Sequence, residues 1–340
     1  MQMTLGDKLK KYILNPDYRF IVNSAHGCYK SMSDEEYLKR MFKAKMGYQL
    51  NLENPKTYNE KLQWLKLYDR RHEYVSLVDK YAVKKFVSEQ IGDQYVIPTL
   101  GVWQRFEDID FTTLPNQFVL KCTHDSGGLV ICRDKTAFDI NAARVKIKKS
   151  MKRNYYYYGR EWPYKNVLPR IICEKYMTDE SQMEKDSTYT NLEFCSTQKR
   201  QTNNISEENL TDYKFYCFDG EIKAVGIYTD RQKASETCAD YYNRNFEWIN
   251  MEWGYPHAKY RPVKPVQFEE MISIAEKLSK NIPEIRVDLY LCGEKVYFGE
   301  LTFYDGSGFD EIKPTSKDIE WGEWIKLPPQ NRYNFSNRGE

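Results

Sequence analysis

The sequence predicts an α+β fold built from two or three folding units. Three observations predict it. The first seventy or so residues carry apolar positions at helical spacing. From Phe118 the apolar period shortens to that of strands, and one clear helix returns late, among further strands. At 340 residues the chain is too long for one small module.

Ser33, Asp34, Glu35 and Glu36 read as a capped helix start, followed by Tyr37, Leu38, Met41 and Phe42 on one face and Gly47 as a stop. Residues 59–68 form a second amphipathic stretch. A third helix is expected over 74–92, with Val75, Val78, Tyr81, Ala82 and Phe86 on one face. Pro98 opens an extended segment. Short apolar strands at 118–122 and 129–132 flank a glycine turn, and 170–174 is another strand. Residues 178–211 are a polar insertion rich in Ser, Thr, Asn, Glu and Lys. The stretches 213–218 and 221–228 make a hairpin that turns at Asp219 and Gly220. Residues 267–280 are a helix whose buried face is Phe268, Met271, Ile272, Ala275 and Leu278, and 285–303 is a final hairpin.

Composition removes several function classes. Lys plus Arg number 51 against 49 Asp plus Glu, so a net charge of +2 argues against a nucleic-acid partner held by charge alone. No apolar run is long enough to span a membrane, and residues 1–23 show no signal-peptide core, so a cytoplasmic location is expected. The eight cysteines include no CxxC and sit mostly in apolar runs, as reduced core residues do. His26, His72, His124 and His257 have no ligand-like spacing, which argues against zinc.

Two constellations carry chemistry. Lys121 precedes Asp125, Ser126, Gly127 and Gly128, a turn that leads into a strand rather than a helix. Such a turn can aim backbone N–H groups at a phosphate from above, with Lys121 reaching the same phosphate. A plain glycine hairpin is the alternative. In the last hairpin, a three-residue loop at Gly293, Glu294 and Lys295 would set Asp288 opposite Glu300 and Arg286 opposite Thr302. All four then share one face. Two adjacent carboxylates suit a cation between them, and hard oxygen ligands suit Mg²⁺ bound together with substrate phosphates. Arg286 would stabilise charge on a transferring phosphoryl group. A solvated hairpin face with an ion pair is the alternative. The aromatic-basic segment 152–162, with Tyr156 and Tyr157, offers either a sugar-stacking platform or lid packing. Asp108 and Asp110 form a DxD that a sugar-nucleotide enzyme would use, or an ordinary loop.

With these pieces assembled, the chain resembles the TupA-like (teichuronopeptide biosynthesis) branch of the ATP-grasp superfamily over 37–328. The stretches that carry the resemblance are NPKTYNEKLQWLKLY, VDKYAVKKFV, IPTLGVW, LPNQFVLKCTHDSGG, EWPYKNVLPRIICEKYM, DYKFYCFDGEI and RVDLYLCGEKVYFGELTF. The resemblance implies ATP bound between two α+β lobes at 73–340, behind a helical region at 1–72. The lid would be 118–177, and 212–340 would carry Mg²⁺. It implies Lys80 and Lys121 as phosphate lysines and Asp125, Ser126, Gly127 and Gly128 as the flap. Glu174, Lys175 and Met177 would be the adenine hinge, and Asp212 and Lys214 ribose and phosphate contacts. Arg231 would be a further phosphate ligand, and Arg286 the catalytic arginine. Asp288 and Glu300 would hold metal, with Thr302 where the family usually has Asn. The implied chemistry joins a carboxylate, in family context that of a uronic acid of bacterial surface-polysaccharide biosynthesis, to an amine through an acyl-phosphate. A glycosyltransferase, a sugar kinase and a non-catalytic ATP sensor are the competing readings.

Overall fold

The computed structural model describes residues 4–177, 211–229 and 237–329. The polar insertion at 178–211 falls almost wholly outside them. The chain opens with helices α1 (Leu5–Leu14), α2 (Pro16–Ala25), α3 (Asp34–Met46) and α4 (Tyr58–Tyr68). The predicted caps of α3 are present: the Ser33 hydroxyl accepts from the Glu36 amide, and Gly47 adopts the left-handed conformation. Helix α4 departs from the amphipathic expectation, because Asn59, Gln63 and Lys66 on its polar side are buried as completely as Leu62. The C-terminal helix and the turn at Asp305–Gly308 cover that side.

The single helix expected over 74–92 is two, α5 (Tyr74–Val78) and α6 (Val83–Ile91). The Asp79 carboxylate causes the break. It accepts from the amides of Tyr81 and Ala82 and so diverts the backbone. Lys80 therefore lies in a turn, not on a helix surface.

Two sheets follow, each with its own core. The first has order β1 (Thr99–Trp103), β4 (Ile171–Lys175), β2 (Phe118–Cys122), β3 (Leu129–Cys132), all antiparallel. Helix α7 (Ile140–Met151) covers one face with Ala143 and Ile147, over Phe118, Leu120 and Cys173. The short helix α8 (Tyr156–Gly159) links α7 to β4. The second sheet is built on β5 (Asp212–Phe218), β6 (Glu221–Thr229), β7 (Cys238–Tyr242), β8 (Trp248–Ile249), β10 (Ile285–Cys292) and β11 (Lys295–Thr302), in the order β11-β10-β5-β6-β7-β8. A short pair, β9 (Glu252–Trp253) with β12 (Ile312–Lys313), lies apart. Helix α9 (Phe268–Leu278) buries the predicted face and Ile274, and α10 (Thr315–Trp324) brings Trp321 into the larger core. No disulfide forms among the described cysteines; Cys122, Cys132, Cys173 and Cys217 are buried, whereas Cys28 is exposed.

The last hairpin reaches the predicted register by another route. Its turn is only Gly293 and Glu294, and Lys295 already pairs with Cys292. A bulge between Asp288 and Leu289 on one strand, with Gly299 unpaired on the other, restores Asp288 opposite Glu300 and Arg286 opposite Thr302. Glycine is required there, since a Cβ at 299 would lie 2.8 Å from the Tyr290 ring and 3.0 Å from the Asp288 carbonyl.

Candidate functional site

Between the two sheets lies a cleft of about 200 Å³. From the smaller sheet and its approach it is lined by Lys80, Lys84, Lys121, Glu174 and the turn from Asp125 to Gly128. From the larger sheet come Asp212, Lys214, Asp288 and Glu300. Segments more than two hundred residues apart in sequence thus share one wall-to-wall space.

The glycine turn is closed by the Cys122 amide donating to the Gly128 carbonyl at 2.7 Å. The Asp125 side chain faces inward. It accepts from the Gly128 amide at 3.3 Å and from the Ser150 hydroxyl, so this carboxylate shapes the turn while Ser126 and Gly127 remain exposed. Lys80 spans the cleft, with Nζ donating to the Asp125 carbonyl at 2.9 Å and lying 3.7 Å from the Glu300 carboxylate. Its own amide donates to the Thr123 carbonyl, which the break at Asp79 makes possible.

Glu174 sits between two lysines, 2.6 Å from Lys121 Nζ and 2.5 Å from Lys84 Nζ. Burial alone would raise its pKa, but Lys121 and Lys84 outweigh that and hold the carboxyl below its ordinary range. Burial pulls Lys84 down from the usual lysine value, against the pull of Glu174. Lys84 was not anticipated from the sequence, where it reads as one charge on a helix; its spacing of four from Lys80 was the available signal. Lys175 and Met177 follow Glu174 at the strand end, where the Lys175 amide donates to the Pro98 carbonyl; neither is among the residues lining the cleft.

The opposite wall is a dense charge array. Arg286 grips Asp288 with Nε and Nη2 at 2.6 and 2.7 Å and contacts Thr302 Oγ1 at 3.1 Å and Glu300 Oε1 at 3.4 Å. Lys214 bridges Asp288 at 2.5 Å and Asp212 at 2.8 Å. Desolvation would raise the Asp288 pKa; Arg286 and Lys214 overcome it and hold the carboxyl below its ordinary value. Arg286 and Thr302 stand just beyond the lining of the cleft, under the acids.

Asp305 is a second residue whose place the sequence left open. Its carboxylate takes Arg286 Nη1 at 2.5 Å and the Tyr216 hydroxyl at 2.6 Å. The turn that carries it is pinned by Lys66, whose Nζ donates to the carbonyls of Ser307 and Gly159 at 2.7 and 2.8 Å and to Gln63 Oε1 at 3.0 Å. Burial holds the Lys66 ammonium below the ordinary lysine range. Asp305 thus positions the guanidinium from behind.

Other sequence candidates lie elsewhere. Arg231 lies outside the described residues. Tyr156 is buried with its hydroxyl on Asp34, and Arg160 is buried against the rings of Tyr37, Tyr156 and Tyr157, so this part of the aromatic-basic segment packs the helical region rather than offering a stacking platform. Asp108 is engaged by Arg105 and Asp110 by Thr112, on the surface.

The donor chemistry of the acid wall fits a magnesium ion. Asp288 and Glu300 are direct cross-strand partners with Thr302 beside them, all oxygen donors, and the Glu300 side chain is 40% exposed. Among the described residues no cluster of three or more acidic, His or Cys ligands exists. Such a site therefore needs phosphate and water oxygens to complete the ion's shell, as magnesium–nucleotide sites do.

No curated protein matches the chain. Among solved structures, the ATP complex of a D-alanine–D-alanine ligase from Bacillus anthracis is 12% identical with a TM-score of 0.35, over 67% of this chain and 55% of that one. The chain thus spans little more than half the length of that ligase. The D-alanine–D-alanine ligase of Helicobacter pylori gives 12% and 0.39, over 81% and 68%. The ATP-grasp ligase PsnB, complexed with a phosphomimetic variant of its minimal precursor, Mg and ADP, gives 9% and 0.40, over 89% and 74%. The model of the TupA-like ATP-grasp family matches residues 60–192 and 196–326, well over half of the sequence, and this chain belongs to that family.

Proposed function

We propose that the protein is an ATP-dependent carboxylate–amine ligase, and that its acceptor is a uronic-acid carboxylate used in building a bacterial surface polysaccharide. The observation that supports the ATP-dependent part is the meeting of Lys80, Lys121 and the glycine turn with Asp288 and Glu300 across one cleft. The acceptor rests on family context.

In this reading Lys80 and Lys121 neutralise phosphate oxygens from the lid side, and the exposed backbone at Ser126 and Gly127 covers them. Asp212 and Lys214 lie at the ribose and phosphate end, and the strand end at Lys175 and Met177 provides backbone groups for adenine. Asp288 and Glu300 would hold Mg²⁺, with Thr302 beside them. Bound there, the ion would neutralise phosphate charge and polarise the γ-phosphoryl group. Arg286, fixed by Asp288 and Asp305, supports charge on the transferring group. The acceptor carboxylate oxygen bonds to the γ-phosphorus as the bond to ADP breaks. The amine nitrogen then bonds to the acyl carbon, phosphate leaves, and the nitrogen sheds its proton. The cleft is smaller than ligand pockets of roughly 300–1,000 Å³. The lid must therefore lift to admit a triphosphate and close to keep water from the acyl-phosphate.

The test is ADP release by purified protein with ATP, Mg²⁺, a uronate and a panel of amines. Release that needs both acceptor and amine is expected. An absence of ADP above background under every pairing would sink the ligase reading, and a phosphorylated sugar as the end product would replace it with a kinase.

A further inference from the structure

We propose that α1 is a docking helix that seats this protein reversibly on an anionic lipid bilayer. The helix is ten residues long and buries none of its side chains. At helical periodicity Leu5, Leu9 and Ile13 fall on one stripe, and they are 85%, 60% and 60% exposed, with Leu14 open at the end. Lys8 and Lys10 border that stripe on its two sides, and Lys11 lies farther round. Asp7, the helix's one acid, is taken up in the N-terminal cap with Thr4.

The helix is held to the body by polar contacts that leave the stripe free. The Tyr12 hydroxyl donates to Asn23 Oδ1 at 2.8 Å on α2, Arg19 donates to the Ile13 carbonyl at 2.9 Å, and the Lys11 ammonium lies 4.8 Å from the Tyr18 ring. Its fold and orientation therefore need nothing from Leu5, Leu9 or Ile13. In α3, by contrast, the apolar face is buried. An aliphatic stripe flanked by lysines on both edges matches a plane of anionic headgroups: the aliphatic groups enter the acyl boundary, and the lysine stems lie along it with their ammonium groups in the phosphate layer. So short a stripe gives weak, reversible attachment that depends on the charge of the lipid. This placement does not depend on the nucleotide reading.

The test is flotation of the full chain with phosphatidylglycerol–phosphatidylcholine vesicles and with phosphatidylcholine vesicles alone. Binding is expected on the anionic vesicles, roughly tenfold above the neutral ones, and it should weaken as salt is raised. L9S/I13S should lower the bound fraction roughly tenfold while the melting temperature and circular dichroism stay as in the parent. K8Q/K10Q/K11Q should abolish the preference for anionic lipid. Equal flotation of parent and L9S/I13S, or no flotation of the parent, overturns the proposal. So does a concentration-dependent dimer, seen by light scattering and dissolved by L9S/I13S without vesicle binding, because it assigns the stripe to a second copy of the chain.

Discussion

The two walls of the cleft are built by opposite means. The larger sheet fixes its charges by mutual contact: Arg286 holds Asp288 and Asp305, Lys214 holds Asp288 and Asp212, and all five sit in or under a buried surface. The smaller sheet offers longer, more exposed groups. Lys80 and Lys121 reach out from a turn and a strand end, and the glycine turn presents backbone rather than side chains. A preorganised floor keeps its geometry while the chemistry proceeds, and a cap of few contacts can move. Stability and nucleotide handling should therefore separate by wall.

The largest expected effect is Arg286→Met. It takes the guanidinium from the Asp305 carboxylate and leaves Asp288 to Lys214 alone, and the loss should be about 3–5 kcal/mol by urea denaturation. Nucleotide turnover should fall about 10²–10³-fold. On the lid side, Lys80→Met should weaken turnover about tenfold or more, yet leave stability within about 1 kcal/mol, because its partners are a backbone carbonyl and the exposed Glu300. Equal destabilisation by the two substitutions would erase the contrast. Asp305→Asn should come next, with kcat down roughly tenfold and the KM for ATP unchanged, since Asp305 acts only through Arg286; a KM effect alone would deny the positioning role. Gly127→Ala tests the cap itself. With φ at +110° the residue pays a backbone strain of about 1 kcal/mol, and the KM for ATP should rise several-fold.

The smallest effect is on acid stability. Glu174 has a folded pKa below its unfolded value, so its contribution is complete above the ordinary carboxylate range, roughly 4.3, and is lost as pH falls through the depressed folded value. Glu174→Gln should flatten that part of the acid limb, read as urea midpoints between pH 5 and pH 3. An unchanged slope would mean that Lys84 and Lys121 do not hold the carboxylate charged.

Much of the floor was legible in the sequence because a strand's period of two tells which residues share a face. Arg286, Asp288, Glu300 and Thr302 could be aligned from spacing alone, although the odd residue was expected at the tip and lies at Gly299. The late helix was legible for the same reason, with an apolar face that admits one burial. What escaped were charges whose burial depends on distant partners. Nothing in the sequence marks Lys66 or Arg160 for burial, yet carbonyls and rings from segments about ninety or more residues away enclose them. Lys84 was missed likewise, since its partner Glu174 is remote in sequence, and the place of Asp305 stayed open because the turn that carries it has no strand register to fix it against Arg286. The break at Asp79 was hidden because apolar spacing continued through it, while one side-chain cap redirected the backbone.

The irregular residue at Gly299 has one more effect. It interrupts the ladder beside Glu300, whereas Asp288 on the neighbouring strand is clamped between Arg286 and Lys214. The pair of acids is therefore unequal: Asp288 is buried and doubly clamped, whereas Glu300 is 40% exposed and only loosely met by Lys80 and Arg286, so the two would answer differently to one and the same cation.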